Sequence, residues 1–137
     1  EKEKLFLWCN DPECRNNSLQ THIITYSEHC AWFDRKIADP NCYMYIAKID
    51  NQDVGQVRVE VCDEKGIISY SVAKEFRGQG MGKMMLHLLE QQRDIEEKVK
   101  CLAATVKKQN VGSIRCFTAL GYQEKHDQDM CYFIKNI

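Results

Sequence analysis

Few features of this chain point to a specialised class of protein. Two of its 137 residues are proline, and no proline-, glycine- or serine-rich stretch marks a linker. The 19 basic and 20 acidic side chains nearly cancel, which argues against a nucleic-acid partner, because such surfaces are usually strongly basic. No hydrophobic run approaches the roughly 18 residues that a membrane span needs, so no membrane partner is expected. The sequence predicts one globular domain over residues 1–137.

Cysteine is abundant, with eight residues, but its pattern lacks the marks of a metal site. The sequence has no Cys-x-x-Cys pair and no matching histidine spacing, whereas a zinc site needs closely paired ligands, so no metal is predicted. Several cysteines, including Cys101 and Cys116, fall in apolar runs, where a thiol packs as a small buried hydrophobe. Unpaired thiols indicate a reducing compartment, and we expect a cytoplasmic protein.

Hydrophobic periodicity predicts an α/β fold, in which a mixed, mostly antiparallel sheet is flanked by helices. The helix at 80–97 follows from an apolar stripe with helical spacing, formed by Met81, Met84, Met85, Leu88 and Leu89. The chain starts at Glu1 rather than Met, without a strand before the first helix, which suggests an excised domain that has lost its first edge strand. Predicted helices cover 1–10, a turn after Asp11-Pro12, 28–38 with Ser27 as N-cap, 80–97, and 111–120 with Asn110 as cap; predicted strands cover 43–50, 54–62, 67–72, 101–106, 122–127 and 130–135.

Three glycines occupy every second position in the segment that joins the third predicted strand to the next helix. Gly78, Gly80 and Gly82 lack the Cβ atoms that would keep neighbouring N–H groups from turning toward one point. At a helix N-terminus such N–H groups join the positive end of the dipole and form an anion site. Arg77 and Lys83 add positive charge, so we expect a diphosphate here. The spacing fits neither the dinucleotide-binding G-x-G-x-x-G motif nor the P-loop.

Two segments resemble the signature blocks of the GNAT superfamily of N-acetyltransferases. The first, from Arg77 to Gly82, is similar to Arg/Gln-x-x-Gly-x-Gly/Ala. The second, from Asn110 to Tyr122, is similar to Asn-x-x-Ser/Ala-x-x-x-Tyr/Phe-x-x-x-Gly-Phe/Tyr. The resemblance implies the GNAT fold and the transfer of acetyl from acetyl-CoA to a primary amine.

The same resemblance implies a set of residues for acetyl-CoA. They fall at the end of the third strand, in the glycine turn and at the start of the last helix. These are Ser71 and Val72 beside the pantetheine arm; Arg77, Gly78, Gln79, Gly80, Met81, Gly82 and Lys83 around the diphosphate; Asn110 and Ser113 at the far end of the arm; and Phe117 packed against the cofactor.

The catalytic residues are not assigned by the resemblance. It implies a backbone N–H near Val72 for the developing oxyanion. Phe117 stands where many relatives have a tyrosine acid, and Thr105 stands where some have a glutamate base. Water, Tyr70 or Tyr122 is left to relay the proton, or the protein binds acetyl-CoA and catalyses poorly.

The N-terminal third resembles the acetyltransferases of pseudaminic-acid and related pathways of polysaccharide biosynthesis, which act on the 4-amino group of a UDP-linked sugar. The similar stretches are 8–18 and 27–33. They imply Arg15, His29 and Trp32 as substrate-binding residues, with Arg15 on a phosphate and Trp32 stacked on a ring. Each also has a structural interpretation, as a surface charge, a capped histidine and a core aromatic.

Three functions stay open at this point. The first is acetylation of a nucleotide-linked amino sugar, and the second is acetylation of a protein N-terminus or a small-metabolite amine. The second is supported by a similar Trp-x-Asn-Asp-Pro-x-x-Arg stretch in enzymes that modify ribosomal proteins. The third is a non-catalytic acetyl-CoA-binding module. A homodimer is an open expectation for each of them.

Overall fold

The computed structural model describes residues 2–137, in which helices cover both faces of one six-stranded sheet. A 3-10 turn at Lys74–Phe76 follows the third strand. None of the helices in this range is long and apolar enough to cross a membrane. The helices are α1 (Lys2–Cys9), α2 (Pro12–Asn17), α3 (Tyr26–Ala38), α4 (Met81–Glu90), α5 (Arg93–Glu96) and α6 (Val111–Ala119); the strands are β1 (Cys42–Ile49), β2 (Gln52–Cys62), β3 (Lys65–Val72), β4 (Cys101–Lys107), β5 (Gln123–His126) and β6 (Met130–Asn136).

The sheet confirms the predicted mixed, mostly antiparallel α/β fold. Its strand order is β1-β2-β3-β4-β6-β5, and only the β3–β4 pair among these neighbours is parallel. That parallel pairing joins Lys65–Ile67 to Cys101–Ala103 and goes no further, although β3 continues to Val72 and β4 to Lys107. The two strands therefore separate toward their carboxyl ends and leave a gap in the middle of the sheet.

The two faces of the sheet differ in polarity because side chains alternate along each strand. On β2, Val57 and Val59 face the core, where they pack with residues of α4 and α6. The neighbouring Arg58 and Glu60 point to the opposite face, where they meet Trp32 and Lys36 of α3. One face thus carries the hydrophobic core, and the other is a polar floor beneath α1–α3.

The predicted helix over 80–97 is wrong, because α4 ends at Glu90 and α5 is separate. The break at Gln91-Gln92 lets the chain turn back, so that Ile95 becomes fully buried. The apolar stripe also predicts the buried side of the helix only in part. Met84 and Leu88 belong to it but are exposed, whereas Leu86 lies outside it and is fully buried.

The N-cap of α3 is Thr25 rather than the predicted Ser27. The Thr25 hydroxyl accepts a hydrogen bond from the Glu28 N–H, and the helix begins at Tyr26. Both residues suit an N-cap, but a glutamate three residues after Thr25 completes the Thr-x-x-Glu sequence of a capping box. All eight cysteines are unpaired; Cys131 is buried as expected, whereas Cys62 is exposed and the other six are only partly buried.

A glycine in β2 packs too closely against its neighbours to carry a side chain. A Cβ on Gly55 would lie 2.6 Å from the Ser71 carbonyl oxygen and 2.8 Å from Met85 Cε, so we expect Gly55→Ala to lower the free energy of unfolding by about 1–3 kcal/mol. Gly112→Ala is the matched control, because a Cβ there meets nothing within 4 Å and alanine favours the helix by up to about 1 kcal/mol. Urea denaturation measures both, and equal effects would contradict this packing.

The Tyr122 hydroxyl gives the fold a predicted sensitivity to alkali. Burial and the nearby Glu90 carboxylate raise the pKa of Tyr122 above its ordinary value of 10.0. The unfolded chain then ionises this tyrosine first, so folding stability falls as the pH rises above about 10. Tyr122→Phe removes this titrating group, so above pH 10 we expect the free energy of unfolding of the variant to fall less steeply than that of the parent, by about 1.4 kcal/mol per pH unit. Urea denaturation from about pH 8 to 11 tests it, and parallel pH curves for variant and parent would refute it.

Candidate functional site

The glycine turn presents unpaired backbone N–H groups to open space. Gly78 and Gly80 have φ angles of 76° and 78°, and Gly80 is the N-cap of α4 without a side-chain hydrogen bond. The first helical bond runs from the Met84 N–H to the Gly80 carbonyl, so the N–H groups of the three preceding residues have no partner inside the helix. A Cβ on Gly78 or Gly80 would meet nothing within 4 Å. The turn has the geometry of an anion site.

A cavity of about 390 Å³ lies over this turn, between the ends of β3 and the starts of α4 and α6. We call it the phosphate-turn cavity. Three predicted residues are absent from its lining: Gln79 bonds the Glu75 carbonyl, Lys83 is exposed, and Phe117 is buried in the core. Nine predicted cofactor residues line it, namely Ser71, Val72, Arg77, Gly78, Gly80, Met81, Gly82, Asn110 and Ser113.

Arg77 is tied to neighbouring groups rather than free beside the turn. Its Nε donates to the Val72 carbonyl at 3.0 Å, and its Nη1 lies 2.9 Å from Asp11 and 2.8 Å from Glu13. Burial alone would raise the pKa of Asp11, but the Arg77 guanidinium and the Cys14 N–H lower it below its ordinary value. The guanidinium thereby joins α2 to the glycine turn, and its charge is balanced by two carboxylates.

A second cavity, of about 310 Å³, occupies the gap between β3 and β4. This gap cavity is lined by Ser69 and Tyr70 on one side and by Thr105 on the other, and it reaches Phe117. It shares Tyr70 and Ser113 with the phosphate-turn cavity, and the Tyr70 hydroxyl donates to the Ser113 hydroxyl at 2.9 Å. The two cavities therefore meet at this tyrosine.

The backbone of β3 points polar groups into the gap. The Ala73 N–H donates to the Val54 carbonyl, so this N–H points toward β2. Because backbone groups alternate along a strand, those of Tyr70 and Val72 point away from β2. No β4 residue pairs with either of them. A thioester lying in the gap would meet these N–H groups, as the resemblance implies for the oxyanion.

A third cavity, of about 500 Å³, lies between α1, α3, the loop after α2 and the polar floor of the sheet. We call it the N-terminal cavity. It brings together all three predicted substrate residues, Arg15, His29 and Trp32. It also shares Arg15, Gln56 and Arg58 with the gap cavity, so the three cavities form one path across the sheet.

Two of these three residues already have structural partners. Arg15 donates to the carbonyls of Cys9, Gln20 and His22 and to the Ser18 hydroxyl, which fixes the loop after α2. His29 is 3% exposed, and its Nε2 is 2.8 Å from the Lys2 carbonyl. Trp32 remains half-buried, with the Arg58 guanidinium 5.0 Å from its ring centroid.

Sequence reasoning missed three residues of this path. Arg35 and Arg58 line the N-terminal cavity, and Gln56 lies where two cavities meet. Their sequence signal was weak: Gln56, Arg58 and Glu60 alternate with valines, which identifies a polar strand face but not what covers it. Within residues 2–137, no cluster of three or more His, Cys, Asp or Glu side chains is arranged to hold a metal ion.

Comparison with known proteins identifies relatives in sequence and in fold. An uncharacterized N-acetyltransferase of Methanocaldococcus jannaschii is 33% identical over 87 residues, 63% of this chain and 55% of that protein, so the chain spans about half the length of this curated relative. The crystal structure of ribosomal-protein-alanine N-acetyltransferase from Brucella melitensis has a TM-score of 0.80 and 20% identity over 99% of this chain and 94% of that one.

Aminoglycoside acetyltransferase AAC(6')-Ib in complex with coenzyme A has a TM-score of 0.83 and 16% identity over 98% of this chain and 88% of that one. At such identities the structures show a common fold and nothing finer. The family model described as the acetyltransferase (GNAT) family matches residues 6–122, which include both signature segments. The chain therefore belongs to the acetyltransferase (GNAT) family.

Proposed function

We propose that this chain is an enzyme that transfers acetyl from acetyl-CoA to a primary amine, and that the amine belongs to a nucleotide-linked sugar. One observation carries the proposal: the gap cavity, between β3 and β4, shares lining residues with the phosphate-turn cavity and with the N-terminal cavity. A cofactor and an acceptor that enter from opposite faces of the sheet meet at Tyr70. The resemblance of the N-terminal third supports the amino-sugar acceptor.

In this proposal the glycine turn binds the cofactor diphosphate. The free N–H groups at the start of α4 and the positive end of its dipole favour an anion there. The pantetheine arm follows Ser71 and Val72 toward the gap, past Asn110 and Ser113. Structures of AAC(6')-Ib with coenzyme A and acetyl-CoA support this cofactor for the fold.

The reaction needs few acid–base groups from the protein. The neutral amine attacks the thioester carbonyl, a backbone N–H near Val72 stabilises the oxyanion, the C–S bond breaks, and the amine proton passes to water. A thiol with a pKa of roughly 8.5, by analogy with cysteine, departs readily as thiolate. Burial raises the pKa of Tyr70, so its hydroxyl stays neutral. In the proposed step this hydroxyl turns from Ser113, to which it donates in the free protein, and donates its hydrogen bond to the departing sulfur.

A second candidate is acetylation of a protein N-terminus. It is favoured by the fold shared with the ribosomal-protein-alanine N-acetyltransferase along nearly the full length of both chains. Testing a UDP-linked 4-amino sugar against alanine-terminated peptides separates the two candidates. Turnover of the peptides alone would replace the amino sugar as the acceptor.

The glycine turn is tested by Gly80→Asp. A side chain at this position extends into open space over the turn, so the added carboxylate would repel the diphosphate. We expect the dissociation constant for coenzyme A to rise by at least about 100-fold, or roughly 2.7 kcal/mol. Gly80→Ala is the control, because it adds the same backbone strain at positive φ without the charge. Unchanged affinity of the aspartate variant in calorimetry would contradict this placement of the diphosphate.

The role of Tyr70 is tested by Tyr70→Phe. Loss of a hydrogen-bond donor to the departing sulfur should lower kcat by about 10-fold and leave the KM for acetyl-CoA nearly unchanged. Tyr122→Phe serves as the control, since that hydroxyl is buried outside the three cavities. Steady-state thiol release measures both variants. Equal rates for the Tyr70 variant and the parent would remove Tyr70 from the mechanism.

A further inference from the structure

The N-terminal cavity has an unusual lining for a chain with a formal net charge of −1. Three of the six arginines in the sequence, Arg15, Arg35 and Arg58, line it, together with one carboxylate, that of Glu28. No lysine lines it. Guanidinium groups present N–H donors in a planar fork that matches phosphate and carboxylate oxygens, whereas an ammonium acts as a point charge.

The positive charge of this lining is poorly neutralised. Arg15 donates to three carbonyls and a hydroxyl, which satisfy its hydrogen bonds but leave its charge unbalanced. Arg35 is exposed and has no hydrogen-bond or ion-pair partner among residues 2–137. Glu28 lies 3.8 Å from His22, at the exposed side of the cavity.

Arg58 lies at the floor of the cavity, where Trp32, Ser69 and Glu60 surround its guanidinium. Its guanidinium stacks on Trp32, with 5.0 Å from Cζ to the ring centroid, and its Nη2 donates to Ser69 at 3.2 Å. Its Nε lies 2.9 Å from Glu60, but Glu60 is also 3.2 Å from Lys36, so two cations share one carboxylate. Its Nη1 has no protein partner in the part of the chain that the structure describes. This nitrogen offers two N–H donors at a fixed place beside the gap cavity.

We propose that Arg58, assisted by Arg35, binds an anionic group of the acceptor, so that the enzyme selects amines that carry a phosphate or diphosphate. The inference rests on the proposed function and deepens it. It assigns anion recognition to Arg58, a strand residue, rather than to Arg15, whose donors fix a loop. It also excludes polycationic amines such as aminoglycosides and polyamines, because this lining would repel them.

Trp32 completes the site with an apolar surface. Its ring is half-buried and lies against the cavity, where it holds the Arg58 guanidinium in one orientation. A preorganised guanidinium loses little side-chain entropy when it binds an oxyanion, so it binds more tightly than a flexible one. The distance between this anion site and Tyr70 is spanned by the gap cavity, which both Arg58 and Tyr70 line. An acceptor anchored at Arg58 therefore extends its amine toward the cofactor.

Binding of UDP and of inorganic pyrophosphate to the coenzyme A-saturated protein tests the anion site directly. Saturation occupies the glycine turn, so either probe reports on the N-terminal cavity. We expect at least one probe to bind, with the dissociation constant raised at least 10-fold by Arg58→Gln and about 3-fold by Arg35→Gln. Arg93→Gln is the matched control, because Arg93 lies outside the three cavities and should leave binding unchanged. Absence of binding, or equal affinities in all variants, would overturn the proposal.

Kinetics separates this inference from the proposed function. With a UDP-linked 4-amino sugar and the same amino sugar without its nucleotide, we expect kcat/KM to favour the linked form at least 100-fold, and Arg58→Gln to reduce that ratio below 10-fold. Kanamycin should be a poor acceptor. If kanamycin were acetylated faster than the UDP-linked sugar, the anion site would be overturned, but the proposed acetyltransferase activity would stand. Arg58-dependent probe binding without turnover of any amine would instead overturn the proposed function and leave the anion site standing.

Folding of the Arg58 variant is checked by the same titrations. Arg58→Gln that still binds coenzyme A with parental affinity has kept the sheet and its gap. If it fails to bind coenzyme A, the exposed Arg35→Gln variant decides the question, because Arg35 has no hydrogen bond or ion pair to lose among residues 2–137. A parental affinity of Arg35→Gln for both probes would then count against the proposal.

Discussion

The site of this protein depends on a parallel pairing that stops early. Three residues of β3 pair with three of β4, and beyond Ile67 the strands separate while each continues. Separation leaves the backbone N–H groups of Tyr70 and Val72 without a strand partner, whereas the Val72 carbonyl accepts a hydrogen bond from Arg77. The gap thus supplies an opening through the sheet and backbone donors at its edge. The turn, the helices and the N-terminal segments are arranged around that opening.

Electrostatics divides the path into two anion sites of different construction. At the glycine turn the attraction comes from backbone N–H groups and the α4 dipole, because Arg77 is already paired with Asp11 and Glu13. In the N-terminal cavity it comes from side chains, whose guanidinium charges are incompletely balanced. The first kind of site is fixed by backbone geometry and is common to many sequences. The second is determined by individual residues and, in our proposal, sets which acceptors this chain selects.

The sequence predicted well those parts of the site that local rules determine. Alternating glycines before a helix, and Asn110 as the cap of α6, each follow from backbone requirements that few residues meet. Arg58 was not predictable in this way, because its role depends on Trp32, which is 26 positions away and packs on the same sheet face only after folding. Arg15 lies in the N-terminal cavity, but its donors bond the carbonyl of Cys9 at the end of α1 and groups of the loop after α2, which the sequence did not indicate.

The short β3–β4 pairing also has a mechanical consequence. It is the hydrogen-bonded seam between two half-sheets, β1–β3 and β4–β6. Three residues pair at the seam, whereas the β1–β2, β2–β3 and β4–β6 pairings each join seven or eight residues. Away from the seam, contacts between α4 and α6 across the core hold the halves together. Side-chain packing tolerates a small rotation more readily than a hydrogen-bonded ladder does. Above the seam, the width of the gap is therefore set by side-chain packing rather than by hydrogen bonds between β3 and β4.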